Sequence, residues 1–194
     1  DDYYALWDTY RTSFPLLMDY YPERAAPMVQ ALLEIYKHDG YLPDARSGDC
    51  NGRTQGGSNA EVVLADAYAR GLKGIDYGLA LEAMVKDAEV PPADDEKEGR
   101  GGLAEYNRLG YIPYGTPRAG TRTVEYSYDD WCIARIAEAA GLDSVAKEYD
   151  KRGLYYRRYW DKETNLMRPV LGNGQFRTPF NPRYSAHGKS DYTE

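Results

Sequence analysis

Two carboxylates four positions apart, Glu125 and Asp129 in the stretch TVEYSYDDWCIARIAEAA, have the types and the spacing to do chemistry. At about 100° per residue from Val124, the residues Tyr128, Cys132, Ile133, Ile136 and Ala140 form one apolar arc, and both acids project into its middle. Asp130, Ala134 and Glu138 fall on the opposite side, so Asp130 reads as structural. Two acids at a helix N-terminus have a plain use, since each favours the helix dipole by about 0.3–1 kcal/mol, and Arg118 or Arg122 is close enough to pair with them. The chemical reading is that Glu125 and Asp129 line an electronegative pocket at one end of a helical barrel, binding sugar hydroxyls or a cation.

A second constellation sits near the start of the chain. LWDTYR places Trp7, Asp8 and Arg11 where a helix enters the apolar run SFPLL. A carboxylate and a guanidinium buried there would cost several kcal/mol unless they pair or hold a ligand. TQGGSN, at 54–59, sets two glycines before a helix start, an arrangement that could cradle an anion or admit a close-packed ligand. No Gly-Lys-Ser/Thr follows, so it is no P-loop, and a turn needing glycine for positive φ is the simpler expectation. Glu194 closes the sequence after a polar, aromatic stretch, NPRYSAHGKSDY, where a carboxyl could face a cleft.

Helices must position these groups. Helical periodicity runs over 22–38 up to a stop at Gly40 and Pro43, and over 60–72, with Ser58 and Asn59 as candidate caps. There Ala60, Val63, Leu64 and Ala67 share a face, while Asp66 and Arg70 form an i,i+4 pair outside it. A helix over 77–89 is broken by Pro91-Pro92, and ADDEKEGRGG is a charged, glycine-rich loop. LAEYNRL ends at Gly110, Thr123 caps the next helix, which stops at Gly141, and Asp143 or Ser144 begins the last. The stretch 162–182 reads as a hairpin with Gly172-Asn173-Gly174 at its turn, and no strand run is long enough for a central sheet. The fold class is therefore all-α, with six to eight helices joined by long Gly/Pro-rich loops and a short β-hairpin.

Composition narrows the partners. The 194 residues carry a net charge of −7 with scattered basic residues, which argues against nucleic acid or an anionic membrane surface. There is no apolar run of about 18 residues and no signal peptide, so no membrane span is expected. Twenty tyrosines against three Phe and three Trp supply rings that pack on one side and hydrogen-bond on the other, as a sugar-lined cleft needs. Cys50 and Cys132 define no disulfide framework, and with only His38 and His187 a zinc site is not expected.

LWDTYRTSFPLL, TQGGSNAEVVLADAYARGL, GLAEYNRLGYIP, TVEYSYDDWCIARIAEAAG, YYRRYWDKETNLMRP with GNGQF, and DYTE, in this order, resemble glycoside hydrolase family 92, the calcium-dependent exo-acting α-mannosidases. The resemblance implies a two-domain parent, an N-terminal β-sandwich followed by an (α/α)6 barrel with the active site between them. Residues 1–194 are then a single segment, the N-terminal part of the barrel, with both ends looking cut and the sandwich and remaining barrel absent. It also implies that Trp7, Asp8 and Arg11 contact the terminal mannose, which would supply partners for their polar groups. Glu194 matches the family's general acid, whereas the general-base aspartate and the calcium ligands fall beyond this chain. Glu61 stands where many relatives have Asp, at an expected helix-surface position.

The implied reaction is inverting hydrolysis of terminal α-linked mannose from glycans, with two carboxyls about 6.5–9.5 Å apart to admit water. Calcium is the implied cofactor, a mannose-containing glycan and the rest of the parent chain are the implied partners, and the implied location is secreted, periplasmic or cell-surface. The alternative is a carbohydrate-binding or interaction domain on the same scaffold without turnover. A lyase is disfavoured by the two histidines, although fold alone would not exclude it.

Overall fold

The computed structural model describes residues 5–45 and 56–184. Cys50, His187 and Glu194 lie outside the described residues. Eight α-helices follow in order: α1 (Leu6–Thr9), α2 (Ser13–Tyr20), α3 (Pro22–Asp39), α4 (Ala60–Ala69), α5 (Tyr77–Glu89), α6 (Leu103–Leu109), α7 (Ala119–Ala139) and α8 (Asp143–Arg152). A 3-10 turn at Tyr155–Arg158 leads into a two-stranded antiparallel hairpin, β1 (Trp160–Asp161) and β2 (Leu166–Met167). The fold is all-α with one small hairpin, as the periodicity predicts.

The helix ends follow local chemistry. Gly40 and Gly110 take the left-handed conformation that stops α3 and α6. The Asp76 carboxylate accepts the Leu79 N–H and caps α5, fixing its start one residue after the cap. Only one of the sequence-read starts is displaced by more than a residue: α7 begins at Ala119, four positions before Thr123. The left-handed Arg118 (φ 56°) precedes it, and Thr123, already inside the helix, donates its hydroxyl to the Ala119 carbonyl. The same hydroxyl accepts the Ile112 N–H, so a residue expected to cap a helix instead ties it to the preceding loop.

The main core gathers apolar faces of α2, α3, α4, α5, α7 and α8, with Val29, Leu32, Leu64, Met84 and Ile133 fully buried. α7 lies at the centre, packed on α4, α5 and α8 and on the 3-10 turn. It is therefore buried nearly all round. Ala134 and Asp130, read as the side away from the core, are both inaccessible, because α8 and the 100–106 segment cover that side, whereas Tyr128, read as part of the apolar arc, is 44% exposed. A wheel assigns one buried face by composition and cannot show how many neighbours a central helix has.

The hairpin also differs in detail. Gly172-Asn173-Gly174 does turn the chain, but only the single bridge Val170↔Phe176 closes around it. The regular ladder lies one turn earlier, pairing Trp160 with Met167 and Asp161 with Leu166. The Asp161 carboxylate holds that turn, accepting from Glu163 N–H, the Thr164 hydroxyl and Arg168.

Candidate active site

A cavity of about 270 Å³ opens beside the N-terminal half of α7. Trp7, Asp8 and Arg11 from α1 and the segment after it form one wall. Gly56, Gly57 and Asn59, leading into α4, form the second, and Thr121 and Glu125 of α7 form the third. The tertiary fold thus brings together residues more than a hundred positions apart, including four of the five substrate-contact candidates.

Their burial differs from the expectation. Asp8 and Arg11 are exposed and Trp7 is half-buried, so no charge is driven into a core at LWDTYR. α1 is only four residues long and presents these groups to the opening while Leu6 alone enters the core. Arg11 folds back to donate to the Trp7 carbonyl at 3.2 Å. The indole Nε1 of Trp7 is buried and has no hydrogen-bond partner among the described residues.

The two glycines owe their place to close approach rather than to backbone freedom. Neither is among the glycines with positive φ. A Cβ on Gly56 would lie 2.5 Å from Thr121 Cγ2, and one on Gly57 would lie 2.6 Å from the side-chain oxygen of Asn59. The loop can therefore lie flat on α7, and the Asn59 side chain can fold across it. Asn59 directly precedes α4 but makes no capping bond; its Nδ2 donates to Glu125 Oε2 at 3.3 Å, fixing the carboxylate at the cavity wall.

Asp129 does not line the cavity. It is fully buried behind the wall, and its Oδ2 accepts the Ser58 N–H at 3.2 Å. Burial holds this carboxyl well above the usual range, and the nearby Glu61 charge adds to the shift while Arg100 opposes it. Glu61 is not on the helix surface as expected: it is inaccessible, accepting from the Ser58 hydroxyl at 2.9 Å and from Arg100 at 3.2 Å. Burial raises its pKa too, against the pull of Arg100.

Arg100 is the hub of this packed side. Its guanidinium, fully buried, bonds Asp130 at 2.7 Å as well as Glu61, and it stacks over the Tyr126 ring at 5.0 Å. Asp130 also accepts from Tyr106 at 3.0 Å and from Arg152 at 2.9 Å, and Arg152 pairs outward with Glu89. No local pattern marked Arg100, which the sequence shows only within a charged loop. Asn59 and Thr121 were equally unmarked as site residues, since a cap position and a loop position carry no sign of which cavity they face. Cys132 is a buried free thiol.

Chemically, the cavity offers an exposed carboxylate (Asp8), a half-buried one (Glu125), a guanidinium, an amide, a hydroxyl and an indole. That set donates to and accepts from neutral polyols, with ring surface for their C–H faces.

The whole chain, residues 1–194, matches the model of the glycosyl hydrolase family 92 catalytic domain. An uncharacterized secreted glycosidase of Arthroderma benhamiae is 47% identical over 137 residues, covering 66% of this chain and 17% of that protein. The family GH92 inverting mannosidase BT2199 of Bacteroides thetaiotaomicron superposes with a TM-score of 0.84 at 32% identity, over 91% of this chain and 24% of that one. The α-mannosidase BT3965 of the same organism, solved with mannoimidazole, gives 0.81 at 32% identity over 97% of this chain and 25% of its own. The chain thus spans about a quarter of the length of these mannosidases. With the family model matched from end to end and the helices superposed at this level of identity, the chain belongs to glycosyl hydrolase family 92.

Proposed function

We propose that this chain is the N-terminal part of an (α/α)6 catalytic barrel in an exo-acting, inverting α-mannosidase, with a β-sandwich and the remaining barrel elsewhere in its parent protein. The observation that carries the reading is the convergence of Trp7, Asp8, Arg11 and Glu125 on one cavity, in a chain whose relatives include an inverting mannosidase and a mannosidase bound to mannoimidazole. The secreted name of the fungal relative supports a parent that acts outside the cell.

In this reading the terminal mannose sits in the 270 Å³ cavity. Asp8 and Glu125 accept hydrogen bonds from its hydroxyls, Arg11 donates to its oxygens, and the half-buried Trp7 indole offers ring surface. Asn59 holds Glu125 in register, so its orientation is set before substrate arrives. Glu194, outside the described residues, protonates the leaving glycosidic oxygen, and a carboxylate outside this chain activates water on the opposite face. An acid working near neutral pH needs its pKa raised by burial or by neighbouring charge.

Calcium, where bound, would distort the sugar ring and orient water. Among the described residues, no group of three or more His, Cys, Asp or Glu is placed to hold a metal ion. In this reading its ligands belong to the parent chain outside these residues.

The test is release of free mannose from α-linked mannobioses by the full-length parent, with and without EDTA, beside a Glu194→Gln variant. Metal-dependent release that collapses by about 100-fold or more in the variant is the expected result for loss of a general acid. A folded parent that releases mannose from no linkage would overturn the enzymatic reading in favour of a carbohydrate-binding domain without turnover.

A further inference from the structure

We infer that Ser58 is a positioning residue for the terminal-sugar cavity: it pins the glycine loop to buried acids of α4 and α7 and so sets where Asn59 holds Glu125. This rests on the mannosidase reading and extends it to a residue that touches no sugar. Ser58 does not line the cavity, but the residues on both sides of it, Gly57 and Asn59, do.

Ser58 and Glu61 have the Ser-x-x-Glu spacing of a capping box, in which the hydroxyl accepts the glutamate's backbone N–H and the glutamate carboxylate accepts the serine's. The observed bonds run elsewhere. The Ser58 hydroxyl donates to Glu61 Oε1 at 2.9 Å, its backbone N–H donates to Asp129 Oδ2 at 3.2 Å, and its carbonyl accepts the Glu61 N–H at 3.2 Å. Every polar group of this residue is thereby committed, and both carboxylates it meets are inaccessible to solvent. Glu61 is tied in turn to Arg100, and Arg100 to Asp130, so Ser58 is fastened to α4, to α7 and to the segment that carries Arg100.

The cavity side of the loop is fastened far less firmly. Asn59 makes no capping bond and reaches Glu125 through a single contact of 3.3 Å. That length is already at the long end for an N–H···O bond, so a small shift of the loop would break it. Gly56 and Gly57 have no side chain with which to anchor the loop. Because peptide units are planar, only the dihedrals of Ser58 and Asn59 separate the pinned N–H from the amide that reaches Glu125, and both residues are buried. The acids Asp129 and Glu61, which face no ligand, therefore act on the sugar at one remove, through Ser58 and then Asn59.

The experiment is a double-mutant cycle in the full-length parent, with kcat/KM for mannose release from an α-linked mannobiose read well below the thermal midpoint of each variant. Ser58→Ala and Asn59→Ala are each expected to lower kcat/KM about tenfold, inside the roughly hundredfold that a misplacement of about 1 Å can cost. The double variant is expected to lose about tenfold as well, because both changes break the same link to Glu125. A merely structural role for Ser58 would leave the two changes independent. Losses that multiply to about a hundredfold in the double variant would therefore overturn the inference, as would a Ser58→Ala parent with wild-type kcat/KM. A wild-type parent that binds mannobiose without releasing mannose would remove the mannosidase reading alone. The same cycle is then read in the Kd for mannobiose, where a shared loss supports the inference and multiplied losses overturn it. A parent that neither binds nor cleaves mannobiose would remove both.

Discussion

Glu125 and Asp129 lie one turn apart on α7, and the fold gives them opposite circumstances. Glu125 is half-buried at an open cavity, steadied by a single 3.3 Å bond from Asn59. Asp129 is sealed behind the wall with one backbone N–H on Oδ2, and its Oδ1 has no partner among the described residues. Asp130, the next residue, is equally buried but is held by Arg100, Arg152 and Tyr106. The contrast shows that a carboxylate does work for a ligand only where solvent and ligand can reach it. Its neighbours on the same helix serve to hold the wall in place.

Removing the hub of the packed side should have the largest effect. Arg100→Met leaves Glu61 and Asp130 buried without their shared cation, and the expected loss is about 3–5 kcal/mol, seen as a sharply lowered thermal midpoint of the parent protein or its failure to fold. An unchanged midpoint would mean that the network is not what holds α4 to α7.

On the open side the expected change is in activity. Glu125→Gln keeps an acceptor for Asn59 but removes the charge, so mannose release by the parent should fall about 10- to 100-fold while the unfolding free energy stays within about 0.5 kcal/mol of wild type. If stability fell as steeply as activity, the proposed division between the two sides of α7 would be wrong.

Gly56→Ala tests the contact between loop and helix. The added methyl meets the Thr121 side chain at 2.5 Å, and overpacking of this kind costs about 1–3 kcal/mol. Adding Thr121→Ser removes the opposing methyl and should restore most of the loss in a melting experiment.

The smallest expected effect is a pH dependence. With the folded pKa of Asp129 raised, the folded chain keeps its proton where the unfolded chain has lost one. Stability should therefore fall as pH rises from about 4 and level off once the buried carboxyl ionises. Asp129→Asn keeps an acceptor for the Ser58 N–H without ionising. Denaturant midpoints of the variant should accordingly be flatter over this window and no lower than wild type at pH 8.

Much of the scaffold was legible because local chemistry sets it. Pro22 begins α3, Gly40 and Gly110 stop α3 and α6, and the 77–89 periodicity coincides with α5. The Asp66–Arg70 pair sits on the surface at 2.8 Å, as i,i+4 spacing predicts. Where packing outweighs local preference the sequence misled. Glu61 reads as a surface acid because nothing nearby in sequence reveals Arg100, which arrives from a loop 39 positions later.

The sequence by itself determined the all-α class, most helix limits and, through the order of its motifs, the family. These depend on dihedral preferences, capping and periodicity, all of which act within a few residues. The tertiary structure alone decided that Asp8 and Arg11 face an opening, that Gly56 is needed for contact with Thr121 and Gly57 for contact with Asn59, and that Glu125 lines the cavity while Asp129 does not. Each of those depends on which distant side chain lies opposite, and burial, pairing and access are properties of that juxtaposition.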